Sequence, residues 1–218
     1  MTTASLVHLL DTELARSLTA TVNGSLSAPL AHHSFRSYLF ARLLADHLGV
    51  TPGRDYDQQL LFAACVLHDM GLSASGDGAQ RFEVDGADLA ARLLTDHGLP
   101  AADVDAVWEA IALHTSPGIA DRRGVLCRLT RDGIGMDFGR GTDVLTDAQG
   151  EAVHASRPRL SLETALVDAI VDQGRRTPSK APRYSTADAF ILERDAPPHQ
   201  TRMEQGAASS RWGSNASS

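Results

Sequence analysis

"LLFAACVLHDMGL", residues 60–72, is the longest apolar run in the chain, and it ends on an adjacent imidazole and carboxylate, His68 and Asp69. Eight apolar residues in succession leave no polar face for water, so a buried helix is predicted rather than a surface one. A polar pair closing such a helix either faces solvent or holds something cationic. A His-Asp doublet is expected about once by chance in this composition. The pair therefore acquires meaning only if other residues converge on it.

Working outward, Asp55 or Asp57 is placed to open this helix, which is expected to run to Met70 and close at Gly71. Upstream, Leu30, Phe35, Tyr38, Leu39, Leu43 and Leu44 give an apolar face to a long helix that starts after Pro29. It stops at Gly49, with Pro52 beyond. Leu6, Leu9, Leu10, Leu14 and Leu18 predict a first helix over residues 5–20, broken by "NGSLSAP" (23–29). Downstream, "SASGDGAQ" (73–80) reads as a flexible connection able to act as a lid. A fourth helix is predicted over 81–97, closed by Gly98, and a fifth over 103–114, ended by Pro117-Gly118. Residues 121–131 suit a short helix, and "DGIGMDFGRG" (132–141) reads as irregular. Residues 161–176 form an amphipathic helix with Ser161 as N-cap and arginines at its C-terminal end. No alternating strand pattern is found, so the fold class is all-α, a compact multi-helix bundle. The expected organisation is an N-terminal helix and lead-in (1–27), a main domain (28–177) and a C-terminal extension (178–218). The extension loses periodicity from Pro178 and is expected to be partly disordered.

The bulk numbers narrow the class of function. The chain has 218 residues, is 43% hydrophobic and carries a net charge of −7. No basic stripe is visible, which argues against nucleic acid as a partner. Two cysteines, Cys65 and Cys127, make no disulfide framework. "MTTASLVHLL" (1–10) lacks the basic start and long apolar stretch expected of a signal peptide, and no run approaches ~20 apolar residues. The expectation is a cytoplasmic protein that acts on a small molecule and has no membrane partner; a homo-oligomer stays open.

Among the histidines, His47 and His97 each lie just before a helix-closing glycine, where helix-end interactions explain them. His8 reads as surface, and His154 and His199 as solvated loop or tail. His33, His68 and His114 each lie within or at the end of a strongly apolar helix. Three imidazoles on three helices, with Asp69 beside one, match the usual construction of a metal site in a bundle core.

With these residues assembled, the chain resembles the HD superfamily of metal-dependent hydrolases. The matching residues are His33 in "HSFR", with Arg36 one turn on, His68-Asp69 in "VLHDMGL", and a late aspartate. Asp137 in "RDGIGMDFGR" fits best, with Asp132 as the alternative. The resemblance spans roughly residues 28 to 175. Phe82-Glu83-Val84-Asp85-Gly86 is similar to the aromatic-Glu-x-x-Gly segment of the cyanamide hydratase-like branch. Two departures stand out: Leu72 occupies the place of an acid frequent in nucleotidase-type members, and no clean second pair of histidines follows for a second ion. One divalent metal is expected, held by His33, His68, Asp69 and Asp137. Zinc or iron suits it most, and manganese, cobalt or nickel would accept the same mixed N/O set. The lack of thiolates speaks against a purely structural zinc.

Such an ion lowers the pKa of a bound water toward ~7 and makes it a nucleophile. The resemblance then implies attack on a small nitrogenous carbon, nitrile- or amidine-like. Glu83 is a candidate proton shuttle, or simply an acid in the first turn of its helix. His114 can contact substrate or water. Arg36 can pair with a ligating carboxylate or bind an anionic substrate. Asp85 reads as surface, and Phe35, Tyr38 and Trp108 as core or pocket wall. The alternative activity is hydrolysis of nucleotides or small phosphate esters, and only Arg36 and Arg81 near the motifs serve a phosphate. Iron-dependent oxygenation and a non-catalytic binding domain rank lower.

Overall fold

The computed structural model describes residues 7–197 and 199–213. Among these residues ten α-helices form and no β-strand does: α1 Glu13–Ser25, α2 Ala28–Leu48, α3 Gln58–Leu67, α4 Phe82–Asp96, α5 Ala101–Ala112, α6 Val125–Met136, α7 Asp147–Ser156, α8 Leu162–Arg176, α9 Thr186–Asp195 and α10 Arg202–Ser209. The all-α expectation holds. No described helix is long and apolar enough to cross a membrane.

α3 is the buried helix that the apolar run implies. The Asp57 side chain caps it by accepting from the backbone N–H of Gln59 and Leu60, and every residue from Leu61 to Leu67 is buried. Its large side chains contribute about 1.5–3 kcal/mol each, which offsets the several kcal/mol needed to carry a charged group into the interior. The helix ends earlier than Met70: His68 is the C-cap, and Met70–Leu72 turn as a 3₁₀ helix. Gly71 is not a left-handed cap. A Cβ there would stand 1.9 Å from the Phe82 carbonyl oxygen, and one on Gly86 would meet the Gly71 nitrogen at 2.9 Å. The two glycines let the first turns of α4 lie directly on the His68–Gly71 backbone.

α2 runs through the centre and is buried on almost every side. Gly49 closes it in the left-handed conformation, as expected. It packs most extensively against α6, because Gly133 brings the two backbones together: a Cβ there would fall 2.5 Å from the Ser37 carbonyl oxygen. The first half of the segment read as irregular, 132–136, is therefore helix, with Gly133 serving close packing, and 137–141 form a turn. α1 begins at Glu13, capped by Thr12, and continues through Asn23 and Gly24, so the predicted start and break are both displaced. Leu6 lies outside the described residues.

The loop 73–80 is tied down. Gln173 Nε2 donates to the Gly71 carbonyl and to Asp77 Oδ1, both at 2.8 Å. Lys180 pairs with Asp85, which is buried rather than at the surface. Trp108 is only half-buried and donates to Asp88, whereas Phe35 and Tyr38 are core. The described part of the C-terminal extension also takes form. α9 and α10 pack on α8, and Trp212 is buried, stacking on Phe40 and donating to the Met136 carbonyl at 2.9 Å. Disorder is expected from about Pro197; α10 lies within that stretch, and 214–218 lie outside the described residues.

Candidate metal centre

Asp137 follows directly on α6, and the close α2–α6 contact places it against the first turns of α2. It is fully buried and saturated. Arg36 donates to it twice, Nε to Oδ1 at 2.8 Å and Nη2 to Oδ2 at 2.7 Å. His33 Nδ1 donates to Oδ2 at 2.7 Å. Arg159 Nη1 donates to Oδ1 at 3.2 Å and also to the Asp137 carbonyl. Burial alone would raise the Asp137 pKa; the Arg36 charge and the donated hydrogen bonds hold it well below the usual carboxylate range instead. His154 Nε2 stands 3.6 Å from Oδ1, beyond hydrogen-bond range, and has no other partner.

Three imidazoles then line up. His68 sits between His33 and His114, edge to face with each at centroid distances of 5.0 Å. Each ring has an acceptor at Nδ1: Asp137 for His33, the Cys65 carbonyl at 2.8 Å for His68, and the Ile111 carbonyl at 2.6 Å for His114. These acceptors assign the proton to Nδ1 in all three rings, leaving every Nε2 with a free lone pair. The Nε2 atoms of His33 and His68 are 3.3 Å apart. Asp69 Oδ2 lies 3.1 Å from His68 Nε2 and 3.9 Å from His33 Nε2, buried and with no hydrogen-bond partner. Donor atoms of His33, His68 and Asp69 all fall within 4.8 Å of one another. Two lone pairs and an orphaned carboxylate oxygen aimed at one point repel one another unless a cation sits there, so these residues fit a metal ion.

The electrostatics agree. Burial is the largest influence on every group. It lowers the pKa of His33, and it lowers that of His114 to about 4 with the neighbouring His68 adding to the effect. For His68 and Asp69 burial is overcome by mutual attraction, so the imidazole is raised and the carboxyl is lowered to about 2. The place between them favours positive charge.

His33, His68, Asp69 and His114 form the floor of a cavity of about 310 Å³. Phe82, Ile134, Phe138, Ile170 and Phe190 give it apolar walls. Arg36, Asp137 and Glu83 do not reach the cavity. Asp137, expected among the ligands, stands behind His33 and outside the convergent cluster. Asp132, its alternative, is half-buried and paired with Arg131. Glu83 is buried with both oxygens engaged, by Arg81 Nη2 at 2.7 Å and Nε at 3.1 Å and by the Thr115 hydroxyl at 2.6 Å. Burial would raise its pKa, but the Arg81 bond, the neighbouring His114 and the Thr115 bond lower it. The loop 73–80, expected as a lid, contributes nothing to the cavity. That place is taken by α9 and α10.

Several contributors went unread in the sequence. His154 was taken for a solvated loop residue, yet it is buried on α7 with Nδ1 on the Gly150 carbonyl at 2.8 Å. Thr146 and Gln149 form a capping box that marks the start of that helix. Arg159 gives no local signal. Arg131, Arg140 and Arg202 also line the cavity, so the apparent shortage of cations near the site is corrected by the fold.

The comparisons with known proteins agree with this geometry. Residues 30–168 match the HD domain family. The cyanamide hydratases DDI2 and DDI3 of Saccharomyces cerevisiae are each 27% identical to the chain over 177 residues, covering 77% of this chain and 76% of the relative. The chain belongs to the HD domain family and is a metal-dependent hydrolase or hydratase.

Proposed function

We propose that the protein adds water to a nitrile- or amidine-like carbon of a small nitrogenous substrate, at one divalent ion held by His33, His68 and Asp69. The observation that carries this reading is the convergence of two Nδ1-anchored imidazoles and an unpartnered carboxylate oxygen on the floor of an apolar cavity. The similarity to two cyanamide hydratases supports the nitrogenous carbon as the reacting centre.

Zinc or iron suits the donor set, and when bound it acts as a Lewis acid that acidifies water and polarises the substrate. The remaining roles belong to the chain. Asp137 holds His33 in the tautomer that presents Nε2, an arrangement that fixes ring orientation and raises ligand basicity. Arg36 and Arg159 keep Asp137 ionised and immobile. His114 offers a neutral Nε2 acceptor to orient a water or a substrate N–H. Glu83 holds Thr115 at the edge of the cavity rather than carrying protons. The walls exclude bulk water. At a nitrile-like carbon the water oxygen bonds to the carbon as a C–N π bond opens, and both water protons end on the former nitrile nitrogen, with no leaving group. At an amidine-like carbon the adduct forms its C=O by releasing one nitrogen, protonated, as ammonia or an amine.

A second reading, hydrolysis of a phosphate ester, gains one observation from the fold, the arginines on the cavity wall. Purified protein is expected to carry a stoichiometric divalent metal and to hydrate cyanamide more efficiently than it cleaves a panel of nucleotides and phosphate esters. The variants His68→Ala and Asp69→Ala are expected to lose metal. Full metal content and activity in both would refute the assigned site, and phosphatase activity without hydratase activity would move the conclusion to the second reading.

A further inference from the structure

The cavity is much larger than cyanamide requires. At roughly 30 Å³ per water-sized unit, its volume of about 310 Å³ has room for a molecule several times the size of a three-heavy-atom nitrile. Something other than the reacting carbon is meant to fill it.

The charges on the wall indicate what. Of the three arginines that line the cavity, Arg131 is engaged by Asp121 at 2.9 Å and Asp132 at 2.6 Å. Arg202 is engaged by Glu193 at 2.5 Å. Among the described residues the Arg140 guanidinium has neither an ion pair nor a hydrogen bond. In a chain with a net charge of −7, an uncompensated arginine beside an apolar wall is a feature to be explained. Its position is also fixed. Arg140 lies in the turn after α6, between Gly139 and Gly141, both at positive φ, and its backbone N–H donates to the Gly135 carbonyl at 3.1 Å. A Cβ on Gly135 would meet Arg140 Nε at 3.1 Å, so the glycine leaves room for the side chain. The same short segment carries Asp137 and the wall residue Phe138, so the Arg140 backbone is joined to both within three residues. Burial and then the charge of Arg131 lower its pKa, against a smaller opposing influence of Asp132, which Arg131 already engages.

We propose that Arg140 is a specificity-determining residue that binds an oxyanion, carboxylate or phosphate, at the far end of the substrate from the reacting carbon. The preferred substrate is then an anionic molecule bearing a nitrile- or amidine-like group, not bare cyanamide. The proposal rests on the metal centre being the place of reaction, but its test does not.

The test is isothermal titration calorimetry of the full-length, metal-loaded protein with inorganic phosphate and, separately, with acetate. At least one of these is expected to bind saturably to the wild type and to Arg54→Gln, which removes a charge from an exposed arginine far along the chain. Arg140→Gln is expected to weaken that binding about tenfold or more, as loss of a charge-assisted hydrogen bond implies, and Arg140→Lys to weaken it less. Whichever anion responds identifies the group. Equal binding in the wild type and Arg140→Gln, or no saturable binding of either anion to the wild type, overturns the proposal. Arg140-dependent binding in a protein inactive on every nitrile upholds the anion site while refuting the proposed reaction.

Discussion

Replacing Asp137 with asparagine tests how the centre is held together. The substitution preserves shape and removes one charge. In the native protein Arg36 is fully buried, with Nε and Nη2 on the two carboxylate oxygens and Nη1 on the carbonyls of Arg157 and Pro158 at 2.8 and 3.0 Å. Asparagine offers one oxygen; its amide N–H₂ then faces a donor from Arg36, His33 or Arg159. An uncompensated buried charge of this kind costs about 3–5 kcal/mol. For a chain of this size that lowers the melting temperature by roughly 6–20 °C. His33 loses the carboxylate that fixes its tautomer, and metal affinity is expected to fall about 10–100-fold. The two effects separate if melting is followed with and without chelator and affinity is measured by competition with a chromophoric chelator. The pH dependence has a definite sign. Asp137 has a folded-state pKa below its unfolded value of about 3.9, so its stabilisation is complete above about pH 4 and is lost as pH falls through the folded pKa. The gap between wild type and Asp137→Asn is therefore constant near neutrality and narrows only in acid. An asparagine variant that melts within about 2 °C of the wild type in chelator and binds metal equally well would refute this account of the network.

Three other substitutions follow from the same geometry. Glu83→Gln is expected to reduce kcat less than tenfold, because Glu83 is engaged by Arg81 and Thr115; a loss of about 10²–10⁴, typical of a removed general acid or base, would restore the proton-shuttle role. Gly86→Ala is expected to destabilise by about 1–3 kcal/mol and to weaken metal binding, since its Cβ would lie 2.9 Å from the Gly71 nitrogen and 3.3 Å from the His68 carbonyl oxygen; unchanged melting and metal affinity would count against the tight α4 contact. Trp212→Ala is expected to cost about 3–5 kcal/mol in chemical denaturation, and a surface-like cost near zero would show that the C-terminal segment does not pack on α2 and α7.

Sequence reading succeeded where local pattern and tertiary role coincide. The run from Leu60 to Leu67 has no polar face, so its burial followed from composition, and with it the inward placement of His68 and Asp69. Pro29 and Gly49 bound α2 because a proline near the start and a left-handed glycine at the end are local requirements of a helix. It failed where glycine serves packing instead of turning. Gly133 and Gly135 made α6 look irregular, whereas the first admits the α2 backbone and the second admits the Arg140 side chain. It failed again in α7 and α10, whose small and polar residues carry little hydrophobic period. In both cases a capping box, Thr146 with Gln149 and Thr201 with Glu204, was the available local signal. Arg159, His154 and the cavity arginines depend on contacts across tens of residues, and no periodicity encodes those.

The metal reading of the doublet rests on nitrogen accounting more than on its presence in a motif. A histidine that merely fills a core has both ring nitrogens satisfied, or one satisfied and one open to water. His33, His68 and His114 each have Nδ1 satisfied by an acceptor and turn Nε2 toward the cavity, where Asp69 Oδ2 is buried without a hydrogen-bond partner beside the first two. A single proton between His68 and Asp69 would relieve one contact, in keeping with the raised imidazole and lowered carboxyl there. It would not relieve His33, whose burial works against a second proton. One divalent ion satisfies both Nε2 lone pairs and the Asp69 oxygen at once, with charge enough to balance the carboxylate and still act on a substrate. The cost of burying these groups unpaired, several kcal/mol, is thus the physical argument for the proposed metal over protons.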